Sequence, residues 1–214
     1  MNTEEKIESF LNKRPSVILA YGYGSGVTKQ NGYSSKDHPQ IDLILGVENE
    51  SLWHLENIER NPQDYSPNLI KLLASKHNIY QNYGCPIIFM PYLHEGEDNF
   101  KIGVVNYSEI LCDLTNWNNY CLAGRFQKPT LAIKTISGFS EIMSHNCENA
   151  FILANLLMPT NYYSIDDLLK KIMSLSFYQD IRVVFGFENP EKSHNILYGG
   201  YDKIIAMYQP FIIK

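Results

Sequence analysis

Hydrophobic and polar positions follow two different periods along this chain. Short apolar runs bounded by glycine, proline and polar turns predict strands at 17–21, 41–47, 85–92, 100–105 and 130–134. Apolar residues three or four positions apart predict helices, at 53–60, from Ser66 onward, and over 107–122 with Gly124 ending the helix. Thr3 is the expected cap of an additional N-terminal helix. This mixture of elements predicts an α+β fold.

Helical spacing dominates the C-terminal third of the chain. Three helices are predicted there, at 139–158, 164–175 and 201–208. The second starts with Ser164 and Asp167, a pair typical of a capping box, and 183–187 is a candidate short strand. We therefore predict two domains: residues 1–136 with a mixed sheet, and residues 137–214 as a small helical unit that could include a winged hairpin.

The composition limits the function classes. Of the 214 residues, 44% are hydrophobic, and the formal net charge is -5. Proteins that bind along a nucleic-acid backbone usually carry an excess of basic residues, so we expect no nucleic-acid partner. A small basic pocket for one nucleotide is still compatible with this net charge. The longest apolar run, 151–158, is too short to span a bilayer and is expected in the core. We expect a soluble or at most peripheral protein.

A glycine-rich turn follows the first predicted strand. In Gly24-Ser25-Gly26 the two glycines would let backbone amides approach a phosphate, and the serine hydroxyl adds a donor. Most short glycine turns simply connect strands, so this turn alone is a weak signal. The sequence matches neither GxxxxGK[ST] nor GxGxxG, which disfavours a P-loop and a dinucleotide-binding fold.

Asp42 strengthens the case for nucleotide chemistry. A carboxylate within an apolar strand is costly unless it is paired or holds a cation. Nucleotidyl transfer uses such an acid to hold Mg²⁺ against a triphosphate. An Asp42 bonded to a neighbouring loop or an arginine is the open alternative. The common two-acid pattern would have its second acid at Ile44, so a second metal ligand is unassigned; the candidates are Asp113, Asp180 and Glu188.

Two cations follow the predicted helix over 107–122. Arg125 and Lys128 could bind a phosphate, the arginine through two hydrogen bonds and the lysine as a point charge. Two solvated loop cations are the alternative. Asp113 lies beside the apolar stripe of the same helix, and a surface helix acid is equally compatible with its position.

Five segments in order resemble one family over roughly residues 17–210. They are AYGYGSGV, IDLILGV, WHLENIERNPQDYS, FKIGVVNYSEILCDLTNWNNYCLAGRFQKP and SFYQDIRVVFGFENPEKSHNIL. Together they resemble the mitochondrial-type CDP-diacylglycerol synthases, the translocator assembly and maintenance family, whose members also occur in bacteria. Five segments in register are far more specific than any one alone.

The resemblance implies a nucleotidyltransferase domain with a polymerase-β-like palm, followed by a winged-helix-like domain. It implies Mg²⁺ and the reaction of CTP with phosphatidic acid to CDP-diacylglycerol and pyrophosphate. By matched motif, Asp42 would bind the metal, and the triphosphate would lie on Gly24, Ser25 and Gly26. The residues expected to line the nucleotide and phosphatidate phosphates are Lys101, Asp113, Arg125 and Lys128, with Asp42, Asp113, Arg125 and Lys128 as the catalytic set. Asp180 and Arg182 also match, without an assigned role.

Two departures from the family bear on location. No targeting segment is evident at the N-terminus, and the chain stops at 210–214, before the membrane-associating extension of other members. We therefore expect a bacterial, cytoplasmic member in peripheral contact with the inner face of the cell membrane, with the mitochondrial matrix side as the alternative. Two other functions stay open: a nucleotidyltransferase acting on an antibiotic, a protein or an RNA, and a non-catalytic winged-helix adaptor. The oligomeric state is not indicated.

Overall fold

The structure, a computed structural model, describes residues 1–28, 39–68, 86–159, 162–177 and 191–213. The five strands are β1 (Leu19–Tyr23), β2 (Ile41–Val47), β3 (Ile88–Glu95), β4 (Asp98–Asn106) and β5 (Leu131–Lys134). The eight α-helices that lie wholly within the described residues are α1 (Thr3–Asn12), α2 (Glu50–Arg60), α3 (Tyr107–Asn116), α4 (Ala123–Phe126), α5 (Phe139–Leu156), α6 (Ile165–Leu175), α7 (Lys192–Gly199) and α8 (Tyr201–Ile212). A 3₁₀ helix, Pro62–Asp64, follows α2.

The strands form one mixed sheet in the order β3-β4-β2-β1-β5. The β2 and β4 strands run parallel, and the other neighbouring pairs are antiparallel. This arrangement confirms the predicted α+β class. The five predicted strand positions each contain a strand, displaced by up to three residues at their ends.

One face of the sheet carries an apolar core. Side chains alternate across a strand, so residues 41, 43, 45 and 47 of β2 share a face. They belong to a buried cluster with Phe100 and Ile102 of β4 and with Ile7 and Phe10 of α1. The Phe10 and Phe100 rings stack with centroids 4.0 Å apart. The even-numbered residues of β2, including Asp42, therefore point to the opposite face.

The chain divides into two compact units. The first comprises the described residues within Met1–Val27, His38–Cys112 and Leu131–Ser137. The second comprises those within Thr28–Asp37, Asp113–Thr130 and Gly138–Lys214. The core of the second unit is formed by apolar residues of α5, α6, α7 and α8, such as Leu169, Leu197 and Tyr208, all fully buried. The predicted domain division near residue 136 stays a prediction.

Several predicted helix ends need correction. Asn2 rather than Thr3 caps α1, and its side chain and Glu5 form a capping box. The helix expected over 107–122 ends at Asn116. Gly124 does not end a helix but lies inside the short helix α4. The capping box of Ser164 and Asp167 at the start of α6 is confirmed.

Other predictions have different outcomes. The helix α7, Lys192–Gly199, was not predicted. The apolar positions 69–73 of the helix expected from Ser66, and the strand candidate at 183–187, lie outside the described residues. Within the described ranges, no helix combines the length and the apolar composition needed to cross a bilayer.

Candidate functional site

Asp42 and Lys101 are neighbours in the sheet. Asp42 of β2 pairs with Tyr23 of β1 on one side and with Lys101 of β4 on the other. Residues paired across neighbouring strands point to the same face, so these three side chains form one row. The row lies on the face opposite the apolar core. The Lys101 amino group lies 5.0 Å from the centre of the Phe89 ring. The sheet thus brings together an acid and a base that lie 59 positions apart in the sequence.

The glycine turn lies against the start of β2. Gly24 has a left-handed φ of 76°, and a Cβ on it would lie 3.3 Å from Oδ2 of Asp42. A Cβ on Gly26 would lie 2.4 Å from the Gln40 carbonyl oxygen and 2.8 Å from Cα of Ile41. Real Cβ contacts are essentially never that short, so Gly26 permits a close approach of two backbone segments. Both glycines therefore keep the backbone of the turn beside the Asp42 carboxylate.

The donor set around Asp42 fits a magnesium ion that is bound largely through its substrate. Mg²⁺ is usually held by one or two carboxylates together with substrate phosphates and water. Asp42 supplies one carboxylate, and Gly24 leaves beside Oδ2 the space that a side chain would occupy. Within the part of the chain that the structure describes, no group of three or more His, Cys, Asp or Glu side chains is arranged to hold a metal.

Asp113 performs a structural task in the second unit. Its side chain is 1% exposed, and it accepts four backbone N–H groups. The Oδ1 atom accepts from Asn119 at 3.0 Å and Tyr120 at 2.8 Å. The Oδ2 atom accepts from Leu122 at 2.7 Å and Ala123 at 3.0 Å. Four such bonds use most of the acceptor capacity of a carboxylate, so this geometry favours a positioning role for Asp113. The catalytic role expected from the sequence stays untested.

The loop that Asp113 holds explains why α3 ends early. Trp117 and Tyr120 adopt left-handed φ values of 53° and 59°, which are unfavourable for residues with large side chains. The Trp117 indole N–H donates to Asn146 at 2.8 Å, and the Tyr120 hydroxyl donates to Gln127 at 2.6 Å. Burial raises the pKa of the Tyr120 hydroxyl, which is therefore neutral and able to donate. These bonds fix the chain that leads into α4 and Arg125.

The two predicted phosphate-binding cations lie at and just after α4. Arg125, partly buried, donates to the Cys121 carbonyl. The Lys128 amino group donates to the Ser176 hydroxyl and lies 4.1 Å from the centre of the Phe177 ring. Burial, followed by the positive charges of Lys192 and Arg125, lowers the pKa of Lys128 to about 7. Lys128 is not a solvated loop cation.

Ser176 and Lys192 are the residues near Lys128 that the sequence did not indicate. The Lys192 amino group lies 4.6 Å from the centre of the same Phe177 ring. Gly124 permits this packing, since a Cβ on it would lie 2.7 Å from Cβ of Ser176. Because these residues come from separate elements, no local pattern could have joined them.

A buried polar network accounts for part of the WHLENIERNPQDYS segment. The Arg14 guanidinium donates two hydrogen bonds of 3.0 Å to Asp64, and the Asn57 amide donates to the Tyr65 hydroxyl at 3.1 Å. His54 is buried beside Tyr65, 2.9 Å from its hydroxyl, and burial lowers the pKa of His54 to about 4. These residues tie α1, α2 and the 3₁₀ helix together, so their role in this geometry is structural.

Three candidate acids and bases cannot be placed. Asp180, Arg182 and Glu188 lie outside the described residues. Asp42, Lys101 and the glycine turn belong to the first unit, whereas Asp113, Arg125 and Lys128 belong to the second.

Comparison with known proteins identifies relatives along nearly the whole chain. Residues 7–214 match the sequence model of a family described as "Phosphatidate cytidylyltransferase, mitochondrial". Proteins of that name are 36% identical in Schizosaccharomyces pombe, over 91% of this chain and 50% of the relative, and 34% identical in Dictyostelium discoideum, over 98% and 53%. The relative in Saccharomyces cerevisiae is 36% identical, over 90% and 51%. The chain thus spans about half the length of the curated relatives it matches.

These relatives confirm the resemblance and correct the expected location. They are eukaryotic and are named mitochondrial. The expectation of a bacterial, cytoplasmic protein on the inner face of a cell membrane was therefore wrong. It rested on the apparent lack of a targeting segment, and the mitochondrial names of the relatives outweigh that observation.

Proposed function

Since this chain belongs to the mitochondrial phosphatidate cytidylyltransferase family, we propose that it transfers the cytidylyl group of CTP to phosphatidate. The products would be CDP-diacylglycerol and pyrophosphate. The observation that carries the proposal is the Asp42 carboxylate with the Gly24 backbone beside it, where a Cβ would lie 3.3 Å from Oδ2. An acid next to a side-chain-free turn is the arrangement that a metal-bound triphosphate needs.

The residues of the first unit would bind the nucleotide. Backbone N–H groups of the turn and the Ser25 hydroxyl would donate to oxygens of the β- and γ-phosphates. Lys101, in the same row as Asp42, would add positive charge on that face. Asp42 would hold Mg²⁺, which when bound neutralises phosphate charge and orients the triphosphate.

The acceptor supplies its own nucleophile. An oxygen of the phosphatidate phosphate attacks the α-phosphorus of CTP, one P–O bond forms, and the bond to pyrophosphate breaks. A phosphomonoester is already anionic near neutral pH, so no side chain must remove a proton. The obstacle is repulsion between phosphates, and in the second unit Arg125 and Lys128 offer positive charge to a phosphate group.

Several finer features belong to the same proposal. From the family resemblance, we propose a polymerase-β-like palm for the unit that contains the sheet. The same resemblance implies a winged-helix-like second domain. The relatives' names support a mitochondrial location. We also propose peripheral contact with a lipid surface, because phosphatidate is a membrane lipid. Exposed apolar side chains near the end of α5 and the start of α6 support such contact: Ile152, Leu156, Tyr162 and Ile165 are each at least 47% exposed.

The test is a direct assay. The purified chain is supplied with CTP labelled at the α-phosphorus, Mg²⁺ and phosphatidate in mixed micelles, and the lipid fraction is examined for labelled CDP-diacylglycerol. We expect product with CTP and none with ATP or GTP. Labelled transfer to other acceptors, or no transfer while CTP still binds, would contradict the proposed acceptor or the proposed chemistry, respectively.

A further inference from the structure

Two lysines share one aromatic ring in the second unit. The Lys128 and Lys192 amino groups lie 4.1 and 4.6 Å from the centre of the Phe177 ring. The positive charge of Arg125 also acts on Lys128. Cations repel one another, and a partly desolvated group of them is costly without negative charge nearby. A bound anion would offset this repulsion.

Lys128 carries the argument for a ligand. Among the described residues, no carboxylate forms an ion pair with Lys128. The hydrogen bond that Lys128 makes in that part of the chain goes to a neutral hydroxyl, that of Ser176. An ammonium group that is partly withdrawn from water is stabilised by a carboxylate or another anion nearby. An anion that binds here would supply that charge.

We propose that Ser176 and Lys192 complete, with Arg125 and Lys128, a binding site for one phosphate group of a substrate. The choice of ligand rests on the proposed function, because both CTP and phosphatidate carry such a group. The Ser176 oxygen accepts from Lys128, which leaves its O–H able to donate to a phosphate oxygen. Lys192 supplies a second ammonium beside the same ring. Gly124 lets α4 and Ser176 approach closely enough to build the site.

Proton uptake should accompany binding at this site. The pKa of Lys128 is lowered to about 7 by burial and by the charges of Lys192 and Arg125, so the amino group is partly neutral just above neutral pH. A bound phosphate favours the charged form and raises that pKa. Binding at pH 7.5 to 8 should therefore take up a fraction of a proton, and affinity should fall as the pH rises through this range.

The experiment compares four proteins by titration calorimetry. They are the wild type, Lys192→Ala, Ser176→Ala and the control Lys203→Ala, which removes one exposed lysine of α8. Each is titrated separately with CTP and Mg²⁺ and with a soluble short-chain phosphatidate, at two pH values and in two buffers of different ionisation enthalpy. Thermal unfolding of each variant shows whether the fold is kept.

We expect Lys192→Ala to weaken binding of one ligand about ten-fold and Ser176→Ala about three-fold, while Lys203→Ala changes neither. The ligand whose binding is weakened, CTP or phosphatidate, is the one that supplies the phosphate group to this site. Proton uptake should shrink in the Lys192→Ala protein, because loss of a neighbouring positive charge raises the pKa of Lys128 in the unbound state. A folded Lys192→Ala protein that binds both ligands as the wild type does overturns the site.

The outcomes for the site and for the proposed function are distinguishable. If the wild type makes CDP-diacylglycerol but Lys192→Ala binds both ligands normally, the reaction stands and the site fails. If the wild type makes no product but binds one phosphate ligand through Lys192, the site stands and the reaction fails. A Lys192→Arg variant, which keeps the charge, should retain affinity within about three-fold of the wild type.

Discussion

Two aspartates that look alike in the sequence have opposite surroundings. Asp42 is the second residue of β2 and is partly buried. It lies beside a glycine turn whose backbone leaves room next to Oδ2. Asp113 lies near the end of a helix, is 1% exposed, and accepts four backbone N–H groups. The first carboxylate has space for a ligand on at least one side. The second is surrounded by donors of its own chain.

The comparison shows how to separate a structural acid from a candidate metal ligand. Both sites remove a carboxylate from water, and both must compensate for it. At Asp113 the compensation is internal and complete, since the loop at 117–123 folds around it. At Asp42 the glycine turn lies beside the carboxylate, and Gly24, which has no side chain, leaves space next to Oδ2. The four backbone N–H groups that converge on Asp113 indicate a structural acid, whereas the side-chain-free position beside Oδ2 makes Asp42 a candidate metal ligand.

The largest expected effect is on activity when Asp42 is changed. Asp42→Asn keeps the shape of the side chain but removes the negative charge, so turnover should fall roughly a hundred- to a thousand-fold. The free energy of unfolding should change by less than about 1 kcal/mol. Initial rates with saturating CTP and urea unfolding curves give the two quantities. Turnover equal to that of the wild type would end the metal-binding assignment of Asp42.

Asp113→Asn should instead reduce stability. One oxygen can still accept two N–H groups, but the new amide N–H₂ would face the donors of Leu122 and Ala123. We expect the free energy of unfolding to fall by about 2–4 kcal/mol. Urea unfolding measures it, with Asp202→Asn as a control on an exposed acid. If the Asp113→Asn protein is as stable as that control, the four hydrogen bonds to Asp113 do not stabilise the fold as proposed.

Gly24→Ala separates backbone strain from crowding. An alanine there must adopt a left-handed φ and would also place its Cβ 3.3 Å from Asp42 Oδ2. Gly138 has a similar φ, and a Cβ on it would have no atom within 4 Å, so Gly138→Ala carries the strain alone. Both should lose about 1 kcal/mol of stability, but Gly24→Ala should also lose about ten-fold in kcat/KM. Equal activity in the two variants would show that the space beside Asp42 is unimportant.

Ser25→Ala should have the smallest effect. The backbone N–H groups of the turn remain, and only one hydroxyl donor is lost, so we expect a two- to five-fold rise in KM for CTP, corresponding to about 0.5–1 kcal/mol. Steady-state kinetics with CTP as the varied substrate measure this change. A loss as large as that of Asp42→Asn would mean that the hydroxyl, and not the backbone, makes the principal contact.

The sequence predicted elements better than side-chain environments. Strand positions followed from apolar runs, and the capping box at Ser164 and Asp167 followed from local hydrogen bonding, which depends only on near neighbours. The helix over 107–122 was predicted too long. Its apolar spacing continues past Asn116, but a buried Asp113 that attracts four N–H groups outweighs the local helical preference.

Contacts between side chains that are distant in the sequence were the hardest to predict. The Ser176 hydroxyl and the Lys192 amino group approach Lys128 and the Phe177 ring only because α4, the end of α6 and the start of α7 meet in the second unit. From spacing alone, solvated loop cations were the favoured interpretation of Arg125 and Lys128. For Lys128, packing argues against a solvated loop cation, because its amino group contacts the Ser176 hydroxyl and the Phe177 ring. Its role in phosphate binding stays a prediction.

The amino-acid sequence by itself determined the α+β class, the family, and the juxtaposition of a Gly24-Ser25-Gly26 turn with an acid-bearing strand. These depend on short-range periodicity and on motifs in register. Only the tertiary structure decided that the Asp42 and Lys101 side chains lie side by side on one face of the sheet. It also decided that Asp113 accepts hydrogen bonds from the loop that follows it, and that Lys128 and Lys192 lie beside the same ring. The physical reason is that strand register and burial arise from contacts between distant segments, and burial determines what each charge must be paired with.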